Sequence, residues 1–165
     1  MDLKGTFVNN KTLVTENDSK SWLISKFYGE KVGNSFFLDI YETLYFLERG
    51  TLKLSKKETF ESIVKKSKKE ILDNFAVFKN LRSLGYIVKT GLKFGFDFRV
   101  YPKGKSPDKS HSKYVVWVIK EKQKINSTEL TRAVRMSLGL KTSLLLGIVG
   151  DDLEVVFQEV ARKEL

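Results

Sequence analysis

The chain has 165 residues, 41% of them hydrophobic, with twelve phenylalanines and a formal net charge of +10 from 30 basic against 20 acidic residues. That length makes one large domain or two small ones, and that apolar content excludes disorder of the whole. The lack of cysteine excludes disulfides and thiolate metal sites. No run approaches the ~20 apolar residues of a membrane span, and no leader-like stretch opens the chain.

The chain therefore reads as soluble, cytoplasmic and without a membrane partner. The charge excess favours polyanions, nucleic acid first among them. A lysine-rich coding bias or a heat-adapted surface gives the same balance.

The first forty residues look strand-rich. "GTFVNN" and "KTLVT" flank an Asn-Asn pair able to take left-handed turn conformations, a hairpin signal. "SWLISKFYGEKVGNSFFLDI" alternates short apolar runs with Gly29 and Gly33. At "DIYETLYFLERG" the period becomes helical, with Asp39 as N-cap, Glu42 three residues on, Ile40, Leu44 and Leu47 on one face, and Gly50 at the C-terminus. A second helix is expected from Ser55, capped there with Glu58 reaching back, and carrying Phe60, Ile63, Val64 and Ile71 as its apolar stripe. Its lysine cluster "KKSKKE" reads as a solvated face. A third helix runs from Asp73 through "NFAVFKNLRSL" to Gly85, closing an expected N-terminal domain at 1–84.

Residues 85–165 form the second expected domain. "YIVKTG", "FGFDFRVY" and "YVVWVIK" are strand-like. Ser127 or Thr128 can cap a helix through "ELTRAVRMSLGL". "TSLLLGIV" is an apolar run short enough for a strand covered on both faces, and "LEVVFQEVA" follows a Gly-Asp-Asp turn as the last strand. The fold class expected is an α+β N-terminal domain, a small antiparallel sheet with helices, followed by an α/β domain with a mixed sheet flanked by helices.

One stretch concentrates unusual residues. "FRVYPKGKSPDKSHSKYVVWV", residues 98–118, holds both prolines and the only histidine of the chain, with four lysines. Tyr101 closes one strand, His111 stands ten residues later just before the next, and Lys141 stands at the entry to "TSLLLGIV". Strand ends at one edge of an α/β sheet are where such folds place their sites. A tyrosine, a histidine and a lysine meeting there suit chemistry at a phosphodiester. Histidine suits an acid near neutral pH, lysine a compact cation for phosphate oxygens, and tyrosine a base once cations activate it. Taken singly, each has an ordinary reading: a surface histidine, a packed tyrosine, a solubilising lysine before an apolar strand.

"RVY", nine residues, "H" and then "KYVVWVI" resembles the signature of the archaeal tRNA-splicing endonuclease family, with Lys141 thirty residues beyond His111. "FYGEKVGNSFFLDIYETLYFLERGTLKL" is similar to that family's N-terminal domain and "LEVVFQEVAR" to its last strand, so the likeness spans nearly the whole chain. It implies Tyr101 as general base on a 2′-OH, His111 as general acid and Lys141 as transition-state stabiliser. It further implies 2′,3′-cyclic phosphate and 5′-OH products at bulge-helix-bulge junctions of precursor tRNA, with no metal and no cofactor. The family holds a bulge base between two arginines. Arg162 matches one; for the other the pattern departs to "TRAVRMSLGLK", leaving Arg132 and Arg135 as candidates. A tetramer is implied, of identical chains or with a structural subunit. In it the acidic turn at Asp151 and Asp152 would dock into a partner, although such a pair is also ordinary turn chemistry. The rival expectations are a non-catalytic RNA-binding or assembly subunit of the same fold, and a basic module whose Lys-rich helix enters a DNA groove.

Overall fold

In the computed structural model, which describes all 165 residues, Asn9 and Asn10 have φ of 51° and 60°. Two consecutive left-handed residues make the primed turn whose twist matches a hairpin. They join β1 (Leu3–Val8) to β2 (Lys11–Val14), with Val8 opposite Lys11. Next comes a helix, α1 (Asn17–Ser25), in a region whose reading pointed to strands. Its local signal is weak: no side chain caps its first turn, and only Ser19 and Leu23 are buried. Packing of Leu23 into the core, not local propensity, holds it.

After β3 (Glu30–Val32) and β4 (Ser35–Leu38), α2 (Ile40–Glu48) begins at the expected capping box. The Glu42 N–H donates to Asp39 Oδ1 at 2.9 Å, and the Asp39 N–H donates to Glu42 Oε2 at 3.1 Å. Glu42 is nevertheless buried, since its carboxylate also accepts the Gly29 N–H at 3.0 Å. With β5 (Leu52–Leu54) the first sheet is complete in the order β3-β4-β2-β1-β5. It is antiparallel apart from the parallel pair β1–β5. Leu3, Val14, Leu23, Leu38, Phe46 and Leu52 form its core.

The helix expected from Ser55 to Ile71 is shorter and starts later. Lys57 has φ 54°, which no helix passes through, and α3 (Phe60–Lys66) is capped by Thr59 and Ser62 instead. The extended backbone of Ser67 ends it, and Ile71 opens the next helix, α4 (Ile71–Ser83). The chain divides into two units between Ile71 and Leu72. A boundary expected at 84/85 assigned α4 to the first domain, whereas its side chains pack on the second sheet. Phe78 lies 6.1 Å from Phe98 between ring centroids, and a methyl group added at Gly147 would stand 3.0 Å from Val77.

That second sheet has the order β10-β9-β8-β7-β6. Its strands are β6 (Ile87–Thr90), β7 (Phe98–Tyr101), β8 (Tyr114–Lys120), β9 (Ser143–Val149) and β10 (Val155–Val160). Only β8 and β9 run parallel. Parallel neighbours need a crossover, which is α5 (Ser127–Gly139); its N-cap is Asn126, one residue before the two expected, and the Asn126 side chain accepts the Glu129 N–H at 2.8 Å. Ala133 and Val134 of α5 pack on Val115, Ile119, Leu144 and Leu146. Alternation along the strands assigns this face to α5 and the opposite one to α4, a mixed sheet flanked by helices. No helix is long and apolar enough to cross a membrane.

Candidate functional site

Strand register decides which loop ends become neighbours. Val100 pairs with Tyr114, and Tyr114 pairs with Ser143 on its other side. One step further out, the Lys113 N–H donates to the Val100 carbonyl at 2.7 Å and the Ser143 N–H donates to the Lys113 carbonyl at 3.2 Å. The end of β7 at Tyr101, the end of the 102–113 loop, and the α5–β9 junction therefore lie side by side. β10 runs back along β9 with Val160 opposite Leu144, so the residues after Val160 emerge at this same edge. Arg162 is one of them. Four chain segments that carry Tyr101, His111, Lys141 and Arg162 thus meet at one edge of the second sheet.

Each residue has its own setting there. Tyr101 is 4% exposed, packed with the Arg99 guanidinium 6.0 Å from its ring centre. Its hydroxyl makes no hydrogen bond within the protein, and it is not among the buried unpaired oxygens, which are Glu58 Oε2 and Thr142 Oγ1. The ring is buried in the sheet and its hydroxyl is left without a protein partner. His111 is exposed and unpaired, at the end of a loop whose turns close by Lys105 N–H to Pro102 O and Lys109 N–H to Ser106 O, both 3.1 Å. The loop is tied down near its start, where the Lys103 stem crosses Gly85 so closely that a methyl added there would meet its Cε at 3.0 Å.

Lys141 is exposed and has φ 55°, the left-handed region that side chains other than Gly and Asn enter at a cost of order 1 kcal/mol. The α5 C-terminus imposes it, since the Lys141 N–H folds back onto the Leu138 carbonyl at 3.0 Å before β9 starts. Arg132 and Arg135 are both exposed on α5, about 13 Å and about 9 Å of helix rise before Lys141. Lying three apart, they share one side of the helix. Arg162 is exposed, with Glu164 Oε1 3.5 Å from its guanidinium.

Two residues at this edge escaped the sequence reading. The Lys113 ammonium lies 5.3 Å from the centre of the Tyr114 ring and 5.9 Å from that of Tyr86, rings that meet edge-on at 6.4 Å. Thr142, beside Lys141, is 8% exposed and its hydroxyl has no partner, an omission that costs about 1–3 kcal/mol in a protein interior. Nothing local marks either: Lys113 is one lysine among four in its loop, and a threonine before a strand is ordinary. No cluster of three or more His, Cys, Asp or Glu side chains able to hold a metal ion occurs anywhere in the chain.

Comparison with known proteins bears on both units. Residues 3–65 match the family described as tRNA intron endonuclease, N-terminal domain. Residues 71–157 match tRNA intron endonuclease, catalytic C-terminal domain. A tRNA-splicing endonuclease of Pyrococcus abyssi is 38% identical over 139 residues, 81% of this chain and 79% of the relative. One of Thermococcus kodakarensis is 32% identical over 158 residues, 92% of each chain. One of Methanothermobacter thermautotrophicus is 34% identical over 136 residues, 79% of each. With both domains matched in chain order, this chain belongs to the tRNA intron endonuclease family.

Proposed function

We propose that the chain is a catalytic subunit that cuts precursor tRNA at bulge-helix-bulge splice junctions, working in the cytoplasm. The observation that carries this reading is the convergence of Tyr101, the His111 loop, Lys141 and Arg162 at one sheet edge. RNA brings its own nucleophile. The Tyr101 hydroxyl, as phenolate, takes the 2′-OH proton, and the 2′-oxygen attacks the adjacent phosphorus. The bond from phosphorus to the 5′-oxygen breaks as the His111 imidazolium donates a proton to that oxygen. Lys141 meets the non-bridging oxygens as their charge grows. The products are a 2′,3′-cyclic phosphate and a 5′-OH, and no cofactor enters. Arg162 and one of Arg132 or Arg135 hold an unpaired bulge base by stacking guanidinium on its face.

The purified chain, incubated with an intron-containing precursor tRNA, is expected to release the intron and leave those two ends. Cutting is expected to continue in excess EDTA once monovalent salt keeps the RNA folded, because every proton and charge above is handled by a side chain. Total loss in EDTA, restored by one particular divalent ion, would sink this mechanism. Binding without cutting under all conditions would favour the non-catalytic RNA-binding subunit.

The same reading includes a tetramer, of identical chains or with a structural partner. β10 is an edge strand with Val156 59% exposed, an unpaired ladder of the kind proteins cover. The Gly150 N–H donates to the Glu154 carbonyl at 2.9 Å, which sets the parity of the pairing. Residues 156, 158 and 160 bond inward to β9, and 155, 157 and 159 turn their N–H groups outward. Glu159 is exposed, so Glu159→Pro removes an outward donor while sparing the inward ladder. Light scattering is expected to show a smaller species with an unchanged circular dichroism spectrum. An unaltered mass would place the subunit contact elsewhere.

A further inference from the structure

Positive charge in the first unit is gathered in one place. Residues 53–69 hold seven lysines and two glutamates, while the other 54 residues of Met1–Ile71 hold six basic and eight acidic residues. All seven lysines are exposed. Lys66 has Glu58 at 3.9 Å; the other six make no ion pair. Glu61 stands four residues before Lys65 on α3, a spacing that favours pairing on a helix, yet the two remain apart. A merely solvated surface interleaves its signs and neutralises them locally. This one does not.

A second observation concerns the adjoining sheet edge. Lys53 of β5 lies directly beside Lys4 of β1 in the parallel register, and both are exposed. Like charges placed side by side on neighbouring strands lower stability. The conflict leads straight into the turn at Lys56 and Lys57, where Lys57 takes its left-handed conformation. α3 follows, and Lys65, Lys66, Lys68 and Lys69 gather at its far end. A seven-residue helix is about 10 Å long, so the two lysine groups are set about that far apart.

The side-chain types narrow the partner. Every basic residue here is lysine, a point charge suited to phosphate and not to forked recognition of a base. The one aromatic residue in the segment, Phe60, is partly buried, so there is no platform for unstacked bases. A membrane-surface helix would turn apolar side chains outward, whereas Ile63 is buried and Phe60 and Val64 are partly buried. Double-helical nucleic acid, with one charge per ~1.7 Å of axis, presents several phosphates across ~10 Å.

We propose that the lysines of residues 53–69 form a second RNA-binding surface, which grips the phosphate backbone of a double-helical arm of the substrate independently of the cutting edge. This rests on the reading above that the substrate is a structured RNA. The test uses the full chain with Lys56, Lys57, Lys65, Lys68 and Lys69 changed to Gln, Lys66 being left with Glu58. Binding and single-turnover cutting are measured against salt on a full-length precursor tRNA, and on a minimal RNA trimmed to the splice junction.

On the full-length RNA the log–log salt slope is expected to fall by about two to four, near 0.9 for each phosphate that is no longer neutralised, with affinity weakened at least about tenfold. On the minimal RNA both binding and cutting change less than about twofold, since that RNA lacks the double-helical arm the patch is proposed to grip. Arginine at the same five positions restores the slope, which separates a loss of charge from a loss of fold. Equal slopes for the parent and the glutamine chain on full-length RNA overturn the proposal, as do equal losses on both RNAs. So does a loss confined to binding of anionic lipid vesicles, which would make the patch a membrane-binding surface. A parent chain that binds full-length RNA with the patch-dependent slope, but cuts neither RNA, overturns the proposed function and leaves the patch standing.

Discussion

His111→Ala is expected to lower the single-turnover rate on precursor tRNA by about two to four decades, the usual contribution of a positioned acid or base. RNA affinity should change little, because the imidazole acts on the departing 5′-oxygen and not on the resting substrate. The expectation draws on its setting. His111 is the only histidine of the chain, exposed and unpaired, at the end of a loop held between Tyr101 and the α5–β9 junction. No other imidazole can replace it. A substrate with a better leaving group at the 5′-position, such as a bridging 5′-phosphorothiolate, should recover much of the lost rate, since a thiolate departs without a proton. A variant that cuts within threefold of the parent would remove His111 from the mechanism. A variant that cuts slowly on both substrates alike would give it another role.

The second large effect separates cutting from holding. Lys141→Ala is expected to bind bulged RNA nearly as well as the parent and to cut about a hundredfold to a thousandfold more slowly. That is the scale of removing one charge-stabilising donor, and the kinetic pattern is that of an interaction made only in the transition state. Arg162→Ala should instead lose roughly 1–3 kcal/mol of bulge binding, the worth of one base stack, and discriminate less between bulged and fully paired RNA. The surroundings suit this division. Lys141 is pinned in a left-handed conformation between a helix end and a strand start, a poor place for a mobile tether. Arg162 lies in the segment after β10, free of the sheet's ladder and able to fold over an extruded base. If both residues only neutralised phosphates generically, each variant would lose affinity for any RNA and flatten the salt dependence by about one phosphate. Equal losses on bulged and paired RNA would refute the division.

Much of the fold was legible because short-range chemistry decided it. Asn9-Asn10 announces a primed turn, and Asp39 with Glu42 announces a capping box; both stand as expected, and the run 143–149 is the strand covered on both faces. Where the reading failed, the deciding force lay elsewhere. α1 has no cap and is held by what Leu23 touches. The start of α3 turned on one backbone angle at Lys57, which an exposed lysine does not advertise. α4 is as helical as expected, but its place with the second sheet depends on the space Gly147 leaves for Val77.

By itself, then, the sequence determined the element types across most of the chain, the basic character, and the three residue types suited to phosphodiester chemistry. It did so because caps, turns and periodicity act over a few residues, and because a lone histidine between two strand patterns is visible without any fold. Only the tertiary structure decided that β8 and β9 are parallel neighbours, that β10 returns along β9, and that Tyr101, the His111 loop, Lys141 and Arg162 consequently share an edge. Adjacency of that kind is set by ladder hydrogen bonds and shared burial between segments tens of residues apart, and such pairing leaves no local mark on the residues that take part in it.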